Sequence, residues 1–151
     1  MLYLNIQNET SRLRTVVLGT AFHNGPIPTI EECYDPKSKI HVIAGTYPKE
    51  QDMIFEMESV TRVFEKYGIQ VFRPKVIENY NQIFSRDIGF VIEDKFITAN
   101  ILPDRDLEIS AIDHVLDQIP KENRISLPED CHVEGGDVMP WNNYIFIGTY
   151  S

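Results

Sequence analysis

The feature that most constrains the fold is a pair of apolar hairpins that recur in step along the chain. Ile88-Gly89-Phe90-Val91-Ile92, the turn Glu93-Asp94-Lys95 and Phe96-Ile97-Thr98-Ala99 read as the first. Val138-Met139-Pro140-Trp141, the turn Asn142-Asn143 and Tyr144-Ile145-Phe146-Ile147-Gly148 read as the second. Placing Phe96-Ile97 over Tyr144-Ile145 gives an offset of 48 residues. Between the hairpins, Ile109, Ile112, Leu116 and Ile119 form one helical face, with Asp104 as its cap and Pro120 as its stop. Ile125-Ser126-Leu127-Pro128 then reads as a short strand.

The same order of elements precedes the first hairpin. Thr15-Val16-Val17-Leu18, closed by Gly19, is a buried strand by its β-branched run. Thr46 and Pro48 open a helix whose apolar face is Met53, Met57, Val60 and Phe64 and which Gly68 ends. Ile69-Gln70-Val71-Phe72 is a strand ending at Pro74. The repeating unit is therefore hairpin, helix, strand: one incomplete unit, one complete unit and the opening hairpin of a third. Residues 1–151 read as a single α/β domain, and the open third unit leads us to expect the N-terminal portion of a longer protein, with unpaired apolar edges. Residues 23–47 carry Pro26, Pro28, Pro36, Gly25 and Gly45 among polar residues and read as a long loop, a candidate substrate lid.

Composition narrows the function. A formal charge of −9 with no basic stripe argues against a nucleic-acid or anionic-membrane partner. No run is long and apolar enough for a bilayer span, and no basic, apolar start suggests a secretory signal. Two cysteines, Cys33 and Cys131, are too few for a disulfide scaffold and fit a reducing, cytoplasmic setting.

Two acidic segments stand at corresponding places, each before a hairpin: Phe84-Ser85-Arg86-Asp87 and Glu134-Gly135-Gly136-Asp137. Carboxylates converging from neighbouring units suit a planar cation, because a guanidinium matches carboxylate pairs in fixed geometry. Gly135-Gly136 would admit a close backbone approach or a positive φ. The plainer alternative is an acidic turn with a β-bulge at the glycines and an Arg86–Asp87 surface pair. No histidine pairs with a second His or Cys at a zinc-ligand spacing, so no metal is expected; His114 reads as a solvated helix residue. Cys131 reads as a small buried hydrophobe, and Trp141 with its aromatic hairpin as core.

In these motifs the chain resembles the guanidine-modifying (pentein) superfamily: arginine deiminase, agmatine deiminase, dimethylarginine dimethylaminohydrolase and glycine amidinotransferase. Asn8 to Gly19 looks like the family's opening strand and its lead-in, Phe84-Ser85-Arg86-Asp87 its aromatic-x-Arg-Asp segment, and Val133-Glu134-Gly135-Gly136-Asp137-Val138 its Glu-Gly-Gly-Asp hairpin. The resemblance implies a partial α/β-propeller, about half of a ring of five ββαβ-type units. It also implies a guanidino small-molecule substrate, no cofactor, and chemistry through a covalent amidino-cysteine. By position, Asp87 would grip the substrate guanidinium, Glu134 would pair with the catalytic histidine, Asp137 would help hold the site, and Arg86 would position the loop beside the substrate. The family's histidine and cysteine positions fall after this hairpin, and neither Cys33 nor Cys131 matches the nucleophile. The chain alone is thus expected to be inactive. An amidinotransferase is slightly favoured over a hydrolase. A non-catalytic cation-binding module, or a packing subunit that needs its missing C-terminal part or a second copy, are the alternatives.

Overall fold

The computed structural model describes residues 1–33 and 35–149. Tyr34, within the expected loop, and Tyr150 and Ser151, at the open third unit, lie outside the described residues.

Strand β1 (Thr15–Val17) pairs parallel with β2 (Gln70–Phe72), in the register Thr15 to Gln70. The crossover between them contains two helices, α1 (Pro36–Ile43) and α2 (Glu50–Lys66). Helix α1 corrects the reading of residues 23–47 as loop throughout. Asp35 caps it, accepting from the N–H groups of Lys37 and Ser38 at 2.9 Å each, and Pro36 fits the first turn, where no donor is needed. Helix α2 starts two residues after Pro48, and Thr46 bonds the His41 ring at 3.0 Å instead of capping it. Met53, Met57 and Phe64 are half-buried as the spacing predicts, whereas Val60 faces solvent. Gly68 ends the helix at φ +69°, its N–H donating to the Glu65 carbonyl at 2.9 Å.

The middle unit is a three-stranded sheet. β3 (Gly89–Ile92) and β4 (Lys95–Thr98) form the first hairpin, and β5 (Arg124–Ser126) lies parallel to β4. In place of one helix capped at Asp104, the connection is a 3-10 turn (Pro103–Arg105) and two short helices, α3 (Leu107–Ser110) and α4 (Asp113–Leu116). The apolar spacing nonetheless works: Ile112, Val115, Leu116 and Ile119 pack with Ile88 as the buried core. Leu2, Leu4, Val17, Phe72 and Phe96 close around that core, joining the first unit to the second.

The last unit is the hairpin β6 (Val138–Trp141) and β7 (Tyr144–Ile147). Its elements follow those of the first hairpin at 49 residues, one more than expected: Gly89 to Val138, Lys95 to Tyr144. The turn residues Glu93 and Asn142 agree, at φ +52° and +53°. β7 has no described parallel neighbour, and Trp141, Tyr144 and Phe146 are 45%, 69% and 57% exposed, which corrects their reading as core. The three small sheets are distinct, and no described strand closes them into a barrel. No helix among the described residues is long and apolar enough to cross a membrane.

Candidate functional site

Residues 84–87 form a tight turn just before β3, held from three directions. Asp87 N–H closes it on the Phe84 carbonyl at 3.0 Å. The Ser85 hydroxyl donates to the Val17 carbonyl at 3.1 Å, fixing the turn to the end of β1. Arg86 reaches the other way: its guanidinium pairs with Glu9 at 3.2 Å and donates to the Val138 carbonyl at 3.2 Å. Arg86 therefore ties the turn to the N-terminal segment and β6, and not to Asp87 as a surface pair would require.

The Glu-Gly-Gly-Asp segment is a 3-10 turn over Gly135–Asp137, not a bulge, and neither glycine has positive φ. Its glycines serve close approach. A Cβ on Gly135 would collide with the Arg86 carbonyl oxygen and stand 2.7 Å from that of Gly89; one on Gly136 would stand 2.7 Å from Asp87 Oδ1. Gly135 N–H donates to the Asp87 carbonyl at 3.0 Å. The two acidic segments are thus packed directly upon each other.

Between them lies a guanidinium that the sequence reading missed. Arg105, from the 3-10 turn ahead of α3, forks onto Glu108, with Nε to Oε1 at 2.7 Å and a terminal nitrogen to Oε2 at 3.3 Å. Its other terminal nitrogen lies 3.1 Å from Asp87 Oδ2 and 3.6 Å from Glu134 Oε1. Three carboxylates from three elements converge on one guanidinium. Glu108 is 2% exposed, a carboxylate tolerated in the interior because it is paired and hydrogen-bonded. A signal was available: Glu108 stands at helical spacing before Ile112 and Leu116, on the apolar face itself.

Electrostatics follow from the crowding. Burial pushes the Glu134 carboxyl up, Asp87 and Asp137 push it further, and Arg105 opposes them. Burial likewise raises Glu108 against the hydrogen bond and charge of Arg105, with Asp87 and Glu134 adding to the rise. Burial works against the charge of Arg105, but Glu108 and then Asp87 outweigh it and hold the guanidinium firmly protonated.

The other sequence candidates fall outside this cluster. Asp137 is exposed and closes its own hairpin, its carbonyl accepting from Gly148 at 2.9 Å. Cys131 is exposed, which corrects its reading as buried; with His132 it lines an apolar groove formed by Phe90, Ile97, Val138 and Ile145. Cys33 is the buried thiol, donating to the Thr29 carbonyl at 3.3 Å. Among the described residues no hydrogen bond or ion pair joins a thiol or imidazole to Asp87, Glu108 or Glu134.

No family profile and no curated protein matches the sequence. Solved structures do match in shape. SxtG, an amidinotransferase from Microseira wollei in the saxitoxin biosynthetic pathway, aligns with a TM-score of 0.70 at 15% identity, over 90% of this chain and 54% of that one. The inosamine-phosphate amidinotransferase StrB1 of Streptomyces griseus aligns at 0.63 and 15% identity, over 91% and 52%. A dimethylarginine dimethylaminohydrolase variant, solved as an adduct with S-methyl-L-thiocitrulline, aligns at 0.64 and 12% identity, over 91% and 51%. The chain spans about half the length of these structures. This chain therefore has the mixed α/β fold of these three structures, two amidinotransferases and a dimethylarginine dimethylaminohydrolase, over about half of their length.

Proposed function

We propose that this chain supplies the carboxylate side of a guanidino-group-modifying site, of amidinotransferase or amidinohydrolase type, with Asp87 and Glu134 as its central residues. The observation that carries the reading is the convergence of Asp87, Glu108 and Glu134 on a guanidinium, in a fold shared with two amidinotransferases and a dimethylarginine dimethylaminohydrolase. Arg105 neutralises one of the three charges, and the remaining excess of two suits an arginine-like cation.

In the reaction, Asp87 holds the substrate guanidinium and Glu134 sets the tautomer of a histidine. A cysteine thiolate attacks the guanidinium carbon, the histidine protonates the leaving nitrogen, and water or an amine resolves the amidino-cysteine. Arg86, on Glu9 and the Val138 carbonyl, acts through the loop and not on substrate; Asp137 steadies the hairpin and adds negative field at Glu134. Cys33 and Cys131 are not the nucleophile, so residues 1–151 alone turn over no guanidino compound. A second reading, a non-catalytic guanidinium-binding module, is favoured by the lack of any described thiol or imidazole paired with the cluster.

Ammonia, urea and amidino-transfer assays with arginine, agmatine and methylated arginines, and glycine as acceptor, test the assignment. We expect no turnover from this chain and no effect of Cys131→Ser. Turnover that vanishes with Cys131→Ser would overturn it.

A further inference from the structure

Resting on the function proposed above, we infer that Arg105 is a positioning residue: anchored by Glu108, its guanidinium draws Asp87 and Glu134 together and leaves one oxygen of each unengaged for a second guanidinium. The anchoring is lopsided. Glu108 uses both oxygens on Arg105, at 2.7 and 3.3 Å, and sits on the buried face of α3. A fork of two charge-assisted bonds fixes the plane of the guanidinium as a lysine could not. The nitrogen left over meets Asp87 Oδ2 and Glu134 Oε1. Asp87 Oδ1 and Glu134 Oε2 accept no hydrogen bond from any described residue.

Two carboxylates that share one nitrogen would repel without the cation between them. The groups facing Glu134 are Asp87 from the turn before β3, Asp137 from its own turn, Glu108 from α3, and Arg105, the sole cation among them. Removing Arg105 leaves Glu134 among acids alone and raises its affinity for a proton further. A protonated carboxyl is a poor acceptor for a cation, so ligand binding weakens as the pH falls and returns as it rises.

The test is a carboxyl-carbon NMR titration of Glu134, with methylguanidinium affinity measured over the same pH series. In Arg105→Gln the Glu134 midpoint should move up and methylguanidinium should bind at least about tenfold more weakly at the acid end of the series, the loss shrinking at higher pH. Arg105→Lys should keep the midpoint near wild type yet weaken binding a few-fold through the lost fork. A scaffold residue would lower affinity equally at every pH, and that result would overturn the inference. Tighter binding in Arg105→Gln would also overturn it, making Arg105 a competing occupant. Should Arg105→Gln not fold, Glu108→Gln loosens the same anchor; because it also removes an acid facing Glu134, a raised Glu134 midpoint supports the role and an unmoved or lowered one refutes it. Wild-type protein that binds no methylguanidinium, with a midpoint still moved by Arg105→Gln, would sink the proposed function and leave the positioning role standing.

Discussion

Gly135→Ala and Gly136→Ala, one residue apart, should fail in different ways. Gly135 has no positive φ, so alanine meets no backbone strain there and gains about 0.4–1 kcal/mol by restricting the unfolded chain. Against that stands a collision of its Cβ with the carbonyl oxygens of Arg86 and Gly89. Both obstacles are backbone, so neither rotates away, and overpacking of this kind costs about 1–3 kcal/mol or more. The balance is a loss, equivalent to a fall in Tm of up to roughly 10 °C for a chain of this size. At Gly136 the obstacle is Asp87 Oδ1, a side-chain atom that can turn aside. Gly136→Ala should cost little stability but move the Asp87 carboxylate off Arg105 and weaken guanidinium binding. Thermal unfolding by circular dichroism, paired with methylguanidinium titration, reads both variants. A Gly135→Ala protein within about 0.5 kcal/mol of wild type would refute the claim that the two acidic segments pack on each other through this glycine.

Ile112→Ala, in the most buried part of the core, should cost about 2–5 kcal/mol in urea unfolding, whereas Val60→Ala on the solvent side of α2 should fall within about 0.5 kcal/mol of wild type. Glu134 titrates above its ordinary value when folded, so the native state binds more protons than the unfolded chain from about pH 4.5 upward, and its contribution to stability declines as pH rises through the folded midpoint. Glu134→Gln removes that decline, so the stability of the variant relative to wild type should increase with pH over this window; a difference independent of pH would contradict the crowding at the cluster. Sedimentation should find the chain self-associated through the exposed β7 strand, and Ile147→Lys should shift it toward monomer; a wild-type monomer that binds no hydrophobic dye would contradict this.

Both hairpins were legible because apolar runs bracket short turns, a pattern with few other solutions. The position of Gly68 as a helix end and the core face at Ile112, Leu116 and Ile119 were legible for similar reasons of spacing. Helix α1 was not: the density of Pro and Gly around it argued for loop, although Asp35-Pro36 is itself a helix-start signature. The break between α3 and α4 has no marker such as proline inside the apolar repeat. In the site, local motifs gave Asp87 and Glu134, and the structure brings them to one nitrogen. Arg105 and Glu108 escaped notice because a charged pair within a helical stretch ordinarily reads as solvated. Only the tertiary packing that buries Glu108 separates it from a surface i,i+3 pair.

Titration of methylguanidinium into this chain, followed through the amide resonances of residues 84–87 and 134–137, decides whether the carboxylate cluster binds a guanidinium. Saturable shifts confined to these two segments in wild-type protein, and lost in a folded Asp87→Asn variant, are the expected result. Binding that survives Asp87→Asn unchanged, or shifts that map to the apolar groove beside Cys131 instead, would contradict the account.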